Sequence, residues 1–240
     1  MSWIFNKKFT YPPSTRSLID DERHYDIKDT KLPSVTTILQ ATQTQDKKDN
    51  LARWRQKVGE NEAERIRDTA ATRGTIMHRI IEGHLLGHRH ADLSDLGQQA
   101  GRMAHNIIET GLEGSMSEIW GCEIVVHYPD LYAGATDLAG IYENRESIID
   151  FKQSNKMKRR EWVGDYFLQL AGYAVAHNQV HGTKIQSGVI LMCTADNVFQ
   201  KFSVRDQEFQ KYMWEWLKRV DLYHNNISHR DKNTKTQNEK

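Results

Sequence analysis

Cysteine, proline and charge of one sign are all scarce in this 240-residue sequence. Its 2 cysteines are Cys122 and Cys193. A pair cannot build a disulfide scaffold, a four-cysteine zinc site or a four-cysteine iron–sulfur cluster. Both read as reduced residues of an intracellular protein. Lysine and arginine number 33 and aspartate and glutamate 32, a net charge of +1, so the molecule as a whole has no strong field. No stretch approaches the roughly 18 to 20 apolar residues of a membrane span. The first residues lack the apolar centre of a signal peptide, and Asp20, Asp21 and Glu22 arrive too early for a transit peptide. What is present, 38% hydrophobic and 27% charged residues, suits a soluble globular protein. These counts exclude membrane, collagenous and wholly disordered classes.

Residues 1–31, with Pro12 beside Pro13, read as irregular. Ser34 is a candidate N-cap after an extended lead. Asp46 is a candidate cap for a helix that Gly59 ends near residue 58. An apolar stripe of Ala63, Ile66, Ala70, Met77, Ile80, Ile81 and Leu85 predicts a helix over 60–86, with a break at Gly74. Another helix is predicted over 95–110. The period then shortens: strands are predicted over 118–128, 132–142 and 147–151, a helix over 161–178, strands over 186–194 and 198–204, and a helix over 206–225. Helices, three strands, a helix, two strands and a helix imply an α/β fold, with a mixed central β-sheet flanked by helices and a helical N-terminal part. The expected organisation is one domain over 1–227, with a helical region near 32–115, a core near 60–205 and a disordered tail over 228–240.

The chemistry concentrates in Gly134-Ala135-Thr136-Asp137 and Ile148-Ile149-Asp150-Phe151-Lys152. Residues i and i+2 of a strand share a face, so Asp150 and Lys152 project together, and a hairpin places Asp137 beside them. Two carboxylates at strand ends form a hard oxygen site suited to Mg²⁺ or Mn²⁺. The lysine can hold an attacking water or offset charge on phosphorus. Taken singly, Asp-x-Lys reads first as a strand-end ion pair. Three companions accompany it: Arg73-Gly74-Thr75 leading to His78, with Glu82 on the same helix face; Gln169 with Tyr173, one turn apart; and Glu123, in the strand before Asp137.

In this order, Arg-Gly-Thr-x-x-His, Gly-x-x-Asp, Asp-x-Lys and Gln-x-x-x-Tyr resemble the RecB-type branch of the PD-(D/E)XK nuclease superfamily. More narrowly, residues 32–39 followed by Leu51-Ala52-Arg53-Trp54 resemble the mitochondrial genome maintenance exonuclease family and its phage and bacterial relatives. The resemblance covers residues 32–180. It implies a restriction-endonuclease-like core and metal-dependent cleavage of DNA that leaves a 5′-phosphate. Carried over, Asp137 and Asp150 bind Mg²⁺ or Mn²⁺, His78 is a further ligand, and Phe151 lends its backbone carbonyl; Glu123, by its strand position alone, either faces solvent or approaches the metal. Lys152 is the catalytic lysine, and Gln169 and Tyr173 support the site. The cysteines of Cas4-type relatives are missing, so no iron–sulfur cluster is expected, and there is no helicase motor.

Local charge suits DNA where the net charge does not. Lys156, Lys158, Arg159 and Arg160 follow the catalytic strand with no acid among them, a basic loop able to grip phosphates. Arg73, Ser34 and Thr36 are further candidate contacts. Arg53, Arg55 and Lys57 surround Trp54, a pattern that suits single strands, although the indole reads first as core. His84, His88 and His90 cluster, but Gly87 interrupts them and no zinc-binding pattern accompanies them. The expected activity is an exonuclease acting on single-stranded DNA ends, in phage or bacterial recombination, repair or host-DNA degradation. It is expected in the cytoplasm of a bacterium or an infected host, away from membranes. The rivals are a structure-specific endonuclease and a catalytically silent DNA-binding module. Polarity and oligomeric state are not legible.

Overall fold

The computed structural model describes residues 3–19, 21–88 and 90–238, with side chains through residue 226. A mixed six-stranded sheet runs in the order β1 (Ile4–Phe5), β5 (Met116–Tyr128), β6 (Tyr132–Tyr142), β7 (Arg145–Ser154), β8 (Ser187–Thr194) and β9 (Phe199–Arg205). The pairs β5–β6, β6–β7 and β8–β9 are antiparallel. The pair β7–β8 is parallel, as its crossover helix α5 (Gly164–His181) requires. Between β6 and β7, Glu143 and Asn144 both take positive φ, +46° and +62°, the two-residue turn whose twist matches that of the strands.

Each sheet face has its own apolar cluster. One joins Ile148, Ile190 and Met192 to Phe167, Leu170 and Ala171 of α5 and to Phe209 and Trp216 of α6 (Asp206–Asn238). The other joins Ile149, Phe151, Val189 and Leu191 to Met77 and Ile81 of α3 (Glu60–Leu86) and to Ala100 and Met103 of α4 (Asp95–Asn106). Alternate residues of β7 and β8 therefore enter different clusters, and the strands are buried on both faces.

This is the expected architecture of a mixed sheet flanked by helices, but the N-terminal segment departs from expectation. The stretch read as irregular holds β1 and an antiparallel meander of β2 (Ser14–Ile19), β3 (Glu22–Ile27) and β4 (Thr30–Pro33). Tyr25, Ile27 and Leu32 pack its inner face against Ala133. The helical region begins after the meander, with the short α1 (Val35–Ala41) capped by Ser34 and then α2 (Gln45–Val58). Thr44, rather than Asp46, is the N-cap of α2. Helix α3 is continuous through Gly74. The helix expected over 95–110 ends at Asn106 and widens into a π-helical turn, Ile107–Leu112. Trp54, read first as core, is 38% exposed, on a helix with no buried residue. The expected tail falls where side chains lie outside the description, and residues 239–240 lie outside it altogether.

Candidate active site

The β6–β7 ladder ends at the pair Leu138↔Ile149, while β7 continues beside β8 as far as Ser154. Beyond that point the β6-facing backbone groups of β7 have lost their ladder partners, and buried backbone groups need replacements. Two site side chains supply them. The Phe151 N–H donates to Asp137 Oδ2 at 2.6 Å. The Phe151 carbonyl accepts from His78 Nε2 at 2.9 Å, which fixes the ring's tautomer in the neutral state.

The sequence motif around His78 explains its reach. Arg73, which is buried, donates to Gln153 Oε1 at 2.8 and 3.0 Å and to Gln99 at 3.3 Å, and it also contacts Asn155. A Cβ on Gly74 would lie 3.3 Å from Gln153 Cγ. Arginine and glycine together thus dock α3 against β7, and one turn later His78 meets Phe151.

His78 Nδ1 then faces acids, 3.4 Å from Asp137 Oδ1 and 3.8 Å from Glu123 Oε1. Register pairs Cys122↔Leu138 and Ile124↔Thr136 bracket Glu123 opposite Asp137. Cys122 packs with the α3 side and Ile124 with the α5 side, so the two-residue alternation breaks at Glu123. Its φ is +51°, a conformation that costs a glutamate on the order of 1 kcal/mol or more and persists only where surroundings impose it. One donor atom from each of His78, Glu123 and Asp137 lies within 4.8 Å of the others. Imidazole and carboxylate donors in that cluster fit a divalent cation.

Asp150 stands beside this group and forms an ion pair with Lys152. Its buried Oδ2 makes this contact. The Lys152 ammonium also lies 5.2 Å from the centre of the Tyr166 ring. On the α5 side, Gln169 Nε2 donates to the Tyr173 hydroxyl at 2.7 Å. A cavity of about 200 Å³ gathers Asp137, Asp150, Lys152, Gln169 and Tyr173, and a wider cleft of about 630 Å³ opens past His78, Glu123 and Lys152.

The charges are strongly coupled. Burial drives the Asp150 carboxyl up to about 6, with the neighbouring Asp137 adding to the shift and Lys152 opposing it. Burial works against the Asp137 charge too, but His78, Lys152 and the Phe151 N–H outweigh it and hold this carboxyl below its usual value. Burial pulls His78 down, yet Asp137 and Glu123 overcome it and raise the imidazole to about 10. Burial opposes the Lys152 charge as well, but Asp150 and Asp137 raise its pKa, so the ammonium stays charged.

No family model matches this sequence. It is 26% identical over 206 residues to mitochondrial genome maintenance exonuclease 1 of Xenopus tropicalis, across 80% of this chain and 57% of that protein. It is 26% identical over 234 residues to the Mus musculus protein of the same name, across 92% of this chain and 67% of that one. The chain resembles mitochondrial genome maintenance exonuclease 1. It spans 57% of the length of the Xenopus relative. Among solved structures, a protein named an exonuclease from Eubacterium rectale aligns over 66% of each chain with TM-score 0.48 and 18% identity.

Of the other expected residues, Ser34 and Thr36 line the 200 Å³ cavity, and the rest are spread more widely. Lys156 and Lys158 line a separate cleft of about 510 Å³ with Trp54 and Tyr166. Arg160 turns away, bonding Glu208 at 2.8 and 2.9 Å and the Ser203 carbonyl at 3.0 Å. Arg159 lies over Trp162, 5.4 Å from its ring centre. The Ser34 hydroxyl accepts from the Thr37 N–H at 2.9 Å as the α1 cap and lies 2.9 Å from Thr36 Oγ1. Sequence reasoning missed Tyr166, which lines both clefts, and Arg16 and Arg23, which line the site from the meander. A basic pair two strands away in a segment read as irregular leaves no periodic signal.

The glycine of Gly-x-x-Asp has a packing role. A Cβ on Gly134 would lie 2.5 Å from Tyr173 Cε1 and 3.1 Å from Val35 Cγ2. Gly134→Ala should displace the Tyr173 ring, lowering stability by about 1–3 kcal/mol and disturbing the Gln169 pair. Urea denaturation checks the first effect; an unchanged midpoint would refute the close fit.

Proposed function

We propose that this chain is a Mg²⁺- or Mn²⁺-dependent deoxyribonuclease that hydrolyses phosphodiester bonds at single-stranded DNA ends. The observation that carries the reading is the meeting of His78, Glu123 and Asp137, from three elements, beside the Asp150–Lys152 pair, where two cavities share Glu123 and Lys152. His78 through Nδ1, Glu123 and Asp137 would hold the cation, with Asp150 close by. When bound, the cation supplies charge for the phosphoryl oxygens and a water of lowered pKa.

The chain's own groups do the rest. The Phe151 carbonyl anchors His78 and the Phe151 N–H anchors Asp137, so both donors are oriented before substrate arrives. Lys152, kept charged by Asp150, acts as a hydrogen-bond donor: it orients the attacking water or stabilises charge on the phosphate. The Tyr166 ring faces the Lys152 ammonium, which favours its charged form. Tyr173 is held neutral, its pKa raised well above the ordinary value chiefly by burial, and Gln169 fixes its hydroxyl beside Asp150. In-line attack breaks the bond to the 3′ oxygen and leaves a 5′-phosphate. Lys156, Lys158 and Trp54 would receive the strand beyond the reacting centre, where base stacking on an indole tolerates any sequence. Such an activity would suit DNA recombination, repair or host-DNA degradation in a phage or bacterial setting.

Linear and closed circular single-stranded DNA of equal sequence, incubated with Mg²⁺, test the reading. The linear strand should be digested completely while the circle stays intact, and a chelator should stop the reaction. Linearisation of the circle would make the protein an endonuclease; no digestion of either would remove the nuclease reading.

A further inference from the structure

The N-terminal meander brings two arginines to the site that no sequence motif announced. Arg16 is paired with Tyr25 across β2–β3, and Leu18 with Arg23, so all four side chains share one face of the meander. That face is apolar at one end, where Tyr25, Ile27 and Leu32 pack on Ala133 and against Val125 and Ala135. At its other end it is cationic. There Arg16 and Arg23 line the 200 Å³ cavity with Asp137, Asp150 and Lys152, and also the 630 Å³ cleft with His78 and Glu123. The meander is therefore anchored by its hydrophobic end and extends its arginines over the carboxylates.

The anchoring is firm next to Arg23. Its carbonyl accepts from the Ser34 N–H at 2.9 Å and from Thr37 Oγ1 at 2.8 Å, which ties β3 to the start of α1. Among the described residues, neither guanidinium makes a side-chain hydrogen bond or an ion pair, although both line a cavity that also holds the carboxylates of Glu123, Asp137 and Asp150. Arg145, Arg160 and Arg205, by contrast, are each paired with an acid. Unpaired arginines on an anchored sheet, facing a cleft, suit an incoming anion, and the planar fork of a guanidinium matches two oxygens of one phosphate. Lys156 and Lys158 occupy the cleft on the far side of Tyr166, so the two basic sets flank the reacting centre.

We propose that Arg16 and Arg23 together clamp one backbone phosphate of the bound strand, adjacent to the scissile diester and on the side away from Trp54. The inference rests on the nuclease reading above and adds to it a binding site for a specific phosphate. The clamp positions the strand; it takes no part in bond breaking.

A neutral-phosphate scan tests it. Fluorescein-labelled single-stranded oligonucleotides, each with one methylphosphonate at a successive position, are titrated with the 240-residue chain in EDTA, and anisotropy reports affinity. At one position, neutralisation should weaken parent binding by about fivefold to tenfold. Arg16→Ala and Arg23→Ala should weaken binding to the unmodified strand by a similar factor and be indifferent to neutralisation at that position. Each should also reduce the slope of log affinity against log salt by about one. Arg16→Lys, which keeps charge without the fork, should recover only part of the loss. Thermal melting of each variant should match the parent. The clamp is overturned if both alanine variants bind as tightly as the parent, or if they remain sensitive to neutralisation at every position. A parent that digests DNA yet shows no sensitive position loses the clamp alone; a parent that binds no DNA loses both readings.

Discussion

Lys152→Ala is expected to slow DNA hydrolysis by about a hundredfold to ten-thousandfold, the range typical of losing a positioned proton-donating group. The lysine ammonium is the charged donor beside the three-donor cluster, and its partner Asp150 is almost fully buried, 2% exposed. Removing the ammonium leaves that carboxylate without its ion pair. Because burial already pushes Asp150 up to about 6, it can take a proton instead of remaining a stranded charge, so the variant should still fold. Lys152→Arg should rescue little, since a planar guanidinium fork does not reproduce the compact ammonium that sits against Asp150 and the Tyr166 ring. Asp150→Asn keeps the shape, removes the charge that holds Lys152 in place, and should cause a comparable loss. Single-turnover digestion of an end-labelled oligonucleotide, with circular dichroism as the folding control, measures both. A folded Lys152→Ala protein that digests at the parent rate would remove lysine from the chemistry.

The second large effect is on metal affinity, and its sign follows from the proton inventory. Without metal, the acids around His78 raise its pKa to about 10, so the ring is protonated at neutral pH. A protonated ring cannot donate its Nδ1 lone pair, so binding a cation there must expel that proton. Affinity for Mn²⁺ should therefore rise with pH, by about tenfold per unit between about pH 6 and about pH 10. Below about 6, Asp150 is protonated as well and affinity should fall more steeply. Calorimetric titration with Mn²⁺ at several pH values reads the slope, and repeating it in buffers of different ionisation heat counts the protons released. In His78→Ala the slope above about pH 6 should disappear, with weaker binding throughout. Affinity independent of pH in the parent would mean that His78 does not ligate.

Strand and helix periods exposed the core of this fold but not its edges. Strand β6 was readable to the residue, because apolar positions between Pro129-Asp130 and Glu143-Asn144 mark both ends. Asp150 and Lys152 were placed on one face by alternation alone. The meander was not readable: its strands hold Arg16, Arg23, His24 and Asp26, and the apolar minority, Tyr25, Ile27 and Leu32, gains its meaning only from Ala133, a hundred residues away in the chain. Trp54 was misjudged because an indole in a helical segment suggests burial, whereas α2 buries no residue at all. Glu123 was noticed for its type, yet its place in the cluster depends on a left-handed backbone inside a strand, which no residue pattern encodes. Arg73 was grouped with candidate phosphate contacts by charge; in the fold it bonds Gln153 and holds α3 in place. Local periodicity thus located the carboxylates, while long-range packing determined which groups join them.

Anomalous diffraction from crystals grown with Mn²⁺ would test the central claim most directly. The account predicts one strong peak bounded by His78 Nδ1, Glu123 and Asp137, beside the Asp150–Lys152 pair, and its loss in Asp137→Ala. Absence of a peak among those three side chains at saturating Mn²⁺ would contradict it.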